Sequence, residues 1–119
     1  MYIFMGWFSF FLSVLLLVRY ITRKKKMIRL TSYLKKLHKP LGITLLLATF
    51  LHGVNAISVN FESKIAILLG MLSFILIVIM IVSFILRKKL KAKWFKIHSK
   101  CAVIFLFVFL AHILVAIVL

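Results

Sequence analysis

The sequence predicts an all-α integral membrane protein, a four-helix bundle of two pseudo-repeated helical hairpins with both termini outside. Three observations carry that prediction. Of 119 residues 66% are hydrophobic and the mean hydropathy is +1.22, well beyond the half-apolar usage of a soluble domain. Four apolar runs, at about 2–18, 41–59, 65–86 and 102–119, each have the length a helix needs to cross the hydrocarbon core. The 17 Lys and Arg are confined almost entirely to two blocks between those runs, against a single acid, Glu62. Lipid offers backbone groups no partners, so the runs are expected as helices within a single transmembrane domain spanning 1–119.

The first run lacks a positive charge before it and a small-residue cleavage site after it, so it is expected as a retained span and not a signal peptide. The first basic loop, 19–40, holds Arg19, Arg23, Lys24, Lys25, Lys26, Arg29, Lys35, Lys36 and Lys39. Ile21, Met27, Ile28, Leu30, Leu34 and Leu37 suit one face of an interfacial helix there. Pro40 is expected in the first turn of the second span, or as a kink if the helix begins earlier. The short link before the third span has Lys64 alone. The second basic loop, 87–101, holds Arg87, Lys88, Lys89, Lys91, Lys93, Lys96 and Lys100, with Trp94 and Phe95 where an aromatic belt belongs. Both basic loops then lie in the cytoplasm, against an anionic leaflet. With the spans removed no hydrophilic fold is left to bind nucleic acid, so the basic balance points to membrane lipid instead. A lone Cys101 forms no internal disulfide and reads as small apolar filler.

The only four histidines form a pattern. His38 and His52 are 14 residues apart, and so are His98 and His112. Fourteen helical steps fall about 40° short of four turns, so each pair shares one face, about 21 Å apart along the axis. A shift of 60 superposes the pairs and maps Lys36 onto Lys96 and Leu37 onto Ile97, a weak parallel repeat. With the second and fourth spans parallel, His38 is level with His98 and His52 with His112. Neutral imidazole ligates iron well, and haem takes axial ligands from both faces of its plane, which two facing helices can supply. Two haems b are therefore expected, the inner held by His38 and His98, the outer by His52 and His112. No CxxCH sequence is present for covalent attachment. Zinc or copper wants three or four ligands at one level, and here each level offers two.

Other residues suit the same cofactors. Gly42 follows His38 by four, on the same face, where a porphyrin can approach the backbone; Gly53 and Gly70 are further candidates. Lys35, Lys39, Lys96 and Lys100 are placed to neutralise the inner propionates, and Lys64, with Asn55 or Asn60, the outer ones. Phe50, Phe105, Phe107 and Phe109 suit pocket walls or ordinary packing equally, and Met5, Met71 and Met80 lack a spacing that favours ligation.

Two helices each carrying His-x13-His in a short four-span bundle resemble the dihaem core of b-type membrane cytochromes, the cytochrome b561-like and ferric-reductase-like families among them. The likeness rests on His38, His52, His98 and His112 and covers the second and fourth spans. It implies transmembrane electron transfer, by an electron-transfer subunit of a ferric- or quinone-reductase-like system and not by a complete enzyme. These residues hold no glycine-rich dinucleotide motif, so a separate donor protein or a quinol is expected, with a second acceptor, a partner subunit or homo-oligomer, and the plasma membrane of a prokaryote as location. The alternatives are a small transporter or proton-conducting bundle, disfavoured by the lack of Asp and Glu in every run, and a cofactor-free structural subunit.

Overall fold

The computed structural model describes residues 2–25, 28–59 and 62–118, and among them regular structure is helical throughout. Five helices follow in order: α1 Tyr2–Lys24, α2 Ile28–Ser58, α3 Lys64–Ile85, α4 Arg87–Leu90 and α5 Lys93–Val118. Of these α2, α3 and α5 are long and apolar enough to cross a membrane, the make-up of an integral membrane protein, while the apolar part of α1, Ile3–Arg19, is shorter. The residues fall into two compact units, Met1–His52 and Gly53–Leu119.

In the first unit α2 carries the histidine pair His38 and His52. The helix α2 begins at Ile28, twelve residues before Pro40, and the proline lies inside it. The span expected at 41–59 is thus the latter part of a longer helix. The separate interfacial helix expected in the 19–40 loop is absent among the described residues: Arg19 to Lys24 prolong α1, and Ile28 to Leu37 are the opening turns of α2. Met27 lies outside the described residues. The remaining face is only partly apolar-in, because Leu34 is buried while Ile28 is 80% exposed. The physical reason is that straight-chain Leu, Lys and Arg favour helix, and nothing between Ile28 and Leu41 except Pro40 interrupts it. Pro40 removes one N–H, and its carbonyl accepts a bond from Thr44 Oγ1 at 2.8 Å.

Ser9 and Ser13 on α1 are buried, 3% and 1% exposed, which an unpaired hydroxyl would make costly. Each hydroxyl donates to its own helix four residues back, Ser9 to the Met5 carbonyl and Ser13 to the Ser9 carbonyl, both at 2.8 Å. The helix thereby shows a small, polar-satisfied stripe to its neighbours.

The second unit is dominated by α3 packed along α5. Ser63 caps α3, its Oγ accepting from the Ala66 N–H at 3.2 Å. Helix α3 matches the run expected at 65–86 to within a residue at each end. The loop expected at 87–101 is mostly helix: α4 is one turn, Lys91 reverses the chain at φ 56°, and α5 starts at Lys93. Ala66, Ser73, Ile77 and Ser83 are the buried positions along α3, and Phe105 and Phe109 those of α5. The phenyl rings of that α5 pair stack, centroids 5.2 Å apart. Ala66, Gly70, Ser73, Ile77 and Met80 step by 4, 3, 4 and 3, as do His98, Ala102, Phe105, Phe109 and His112. Such steps are the seam of a coiled-coil-like helix pair, and a 14-residue interval is two such heptads.

Candidate functional site

Both histidines of α5 turn a ring edge to α3. The Nδ1–H of His112 donates to the Ala66 carbonyl at 2.8 Å, and that of His98 to the Met80 carbonyl at 3.2 Å. The acceptors are 14 residues apart on α3, as the donors are on α5, so the antiparallel register is the same at both levels. A carbonyl oxygen accepts only, which places the proton of each ring on Nδ1. Nε2 is then the nitrogen with the lone pair, and ring geometry aims it away from the carbonyl. A metal-binding histidine is held in this way, with its other nitrogen on a backbone oxygen. The Met80 carbonyl also accepts Ser83 Oγ at 2.8 Å, and the Trp94 indole stands edge-on to the His98 ring at 6.0 Å between centroids.

A glycine makes room for the ring in each unit. A Cβ built on Gly70 would meet His112 Cε1 at 3.0 Å and Nδ1 at 3.4 Å; one built on Gly6 would meet His52 Cε1 at 3.0 Å and Nδ1 at 3.3 Å. The two seats agree to within 0.1 Å although they lie in different hairpins. Gly70 stands four residues after Ala66, on the same face, so its missing side chain is what lets the imidazole reach that carbonyl. Both glycines open a Gly-x-x-Ser sequence, Gly6 to Ser9 and Gly70 to Ser73. Sequence reasoning passed over Gly6, because these motifs repeat at an offset of 64 whereas the histidines repeat at 60. The first hairpin has four more residues between glycine and histidine, about one helical turn.

The remaining candidates are spread along the helices. At Gly42 and Gly53 a Cβ would meet no atom within 4 Å, so neither seats a side chain of this chain. Lys35 and Lys39 lie on α2, Lys96 and Lys100 on α5, and Lys64 opens α3; all five are exposed. The Asn55 carbonyl takes part in the end of α2, accepting from Ser58 Oγ at 2.9 Å, while Asn60 lies outside the described residues. Phe105 and Phe109 are buried and pack in the α3–α5 seam, whereas Phe50 and Phe107 are exposed. Cys101 is a half-buried free thiol. Among the described residues no three His, Cys, Asp or Glu side chains gather to hold a metal ion. No family model, curated protein or solved structure matches this chain.

Proposed function

We propose that the chain is a dihaem b-type cytochrome that carries electrons across a membrane. One imidazole from α2 and one from α5 would hold each iron, His38 with His98 and His52 with His112. The observation that carries the reading is the orientation of His98 and His112: each gives Nδ1–H to a backbone carbonyl of α3, the way metal-binding histidines are commonly held by their other nitrogen. The Gly6 and Gly70 seats support it, since in each unit a histidine ring lies against a glycine at nearly the same distances. The open backbone at Gly42 and Gly53 suits a flat macrocycle. Lys35 and Lys39 in the opening turns of α2, Lys96 and Lys100 in those of α5, and Lys64 at the start of α3 would suit propionates.

When bound, bis-histidine haem supplies one-electron transfer with both axial positions filled. In this reading α1 forms a fourth span, its 17-residue apolar part, Ile3–Arg19, lying at the short end of the spanning range. Both basic stretches then face the cytoplasm and both ends of the chain the outside. Electrons pass between a donor protein or quinol and an acceptor, in the plasma membrane of a prokaryote, with a partner subunit or a second copy completing the assembly.

The test is a reduced-minus-oxidised absorption spectrum of the purified chain with a haem-to-polypeptide ratio. Two reducible b-type haems per chain are expected. A folded, full-length chain with no Soret band overturns the reading, and the histidines are then interhelical hydrogen-bond donors or a proton relay.

A further inference from the structure

We propose that the corner joining α3 to α5 binds the phosphate headgroup of an anionic phospholipid. The corner holds Arg87, Lys88, Lys89, Lys91 and Lys93 within seven residues, all exposed. Arg87 is held in place: its guanidinium lies 4.3 Å from the centre of the Phe84 ring, and Nη1 donates to the Phe84 carbonyl at 3.1 Å. A guanidinium has five N–H donors, so a pinned one keeps donors for a phosphate in a fixed place. The positive-φ turn at Lys91, closed by its N–H on the Arg87 carbonyl at 2.9 Å, turns the chain within this basic segment.

No Asp or Glu side chain in these 119 residues is near enough to neutralise the cluster. Glu62, the only acid, precedes the far end of the 22-residue α3, about 33 Å away at 1.5 Å per residue, against a screening length of about 8 Å in physiological salt. The counter-charge therefore comes from outside the chain. Its source follows from the setting, because the corner ends two apolar helices and carries interfacial aromatics. Trp94 packs edge-on to Phe84 at 5.8 Å and to Phe95 at 5.7 Å. Tryptophan with arginine and lysine at the end of an apolar helix matches the headgroup layer, where lipid phosphates lie. The site stands on these residues with or without haem.

The test transfers the full chain into nanodiscs of phosphatidylglycerol and phosphatidylcholine in equal amounts and counts the lipids retained by native mass spectrometry. Retention of phosphatidylglycerol is expected for the unaltered chain. Each cation removed among Arg87→Gln, Lys88→Gln and Lys89→Gln should weaken it about fivefold, the equivalent of about 1 kcal/mol per basic residue near an anionic surface. A charge-matched control, Lys24→Gln with Lys25→Gln and Arg29→Gln, should retain the lipid, and Arg87→Lys, which keeps the charge, should lose less than Arg87→Gln. Circular dichroism checks that each variant is helical. Equal retention of the two lipids, equal loss in corner and control variants, or displacement by millimolar inorganic phosphate would overturn the proposal.

Discussion

His112 and Ala66 are joined across two helices by an Nδ1–H bond of 2.8 Å, and the glycine one turn beyond Ala66 is what admits the ring. The bond does two things together. It ties α5 to the first turn of α3, and it fixes the orientation of the imidazole ring by its Nδ1 edge. Hydrogen bonds between membrane helices are worth about 0.6 kcal/mol on average, so its value for stability is modest and its value for ring orientation is larger.

Removing single ligands should separate the two proposed haems. His112→Ala and His52→Ala are each expected to lower the haem-to-chain ratio from two to one, as read by pyridine haemochrome and protein assay, while helix content stays unchanged. Loss of both haems from either variant, or of neither, would contradict stacked independent sites.

The glycines yield opposite effects at seated and open positions. Gly6→Ala and Gly70→Ala push a methyl to 3.0 Å from an imidazole carbon and should cost about 1–3 kcal/mol in detergent unfolding, net of the better helix propensity of alanine. Gly42→Ala meets nothing and should stabilise the haem-free chain by up to about 1 kcal/mol, yet lower haem loading if the porphyrin lies on that backbone. A Gly70→Ala chain as stable as the parent, with the His112 ring unmoved by NMR, would remove the seat.

Ser63 should matter to His112 at a distance. It caps the turn that presents the Ala66 carbonyl, so Ser63→Ala should cost about 1 kcal/mol and loosen that turn. Imidazole ¹⁵N shifts of His112 are expected to move toward tautomer averaging, with those of His98 unaffected. Ser63→Asp, also a good cap, should restore the parent spectrum.

The number of spans fixes where the two ends of the chain emerge. Reporter fusions at residue 1 and residue 119 are expected on the same, outer side, with a tag inserted after Lys91 inside. Ends on opposite faces would mean that α1 does not cross.

The helices were legible in the sequence because lipid leaves an apolar run no other form, and α3 follows its run to within a residue at each end. The ends of α2 and α5 were not. Charge was read as loop, yet Lys35 and Lys96 are good helix formers that prolong an apolar helix into the aqueous layer without breaking it. The histidine interval was legible as a helical face, and the structure adds its heptad meaning, visible only once Ala66 and Met80 supply the matching positions on the neighbouring helix. Gly6 escaped notice since a glycine in a membrane helix is common, and only contact with a ring distinguishes it.

The uninterrupted course of α2 has a consequence for where its chemistry can take place. Thirty-one residues make a rod about 46 Å tall, against roughly 30 Å of hydrocarbon, so a third of it stands clear of the oily interior unless the rod leans steeply. In the proposed topology, with the apolar part of α2 from Leu41 onward in the hydrocarbon, His52 would be submerged and His38 would fall near the waterline. His38 would then be within a proton's or a reductant's easy reach, and His52 shielded from both.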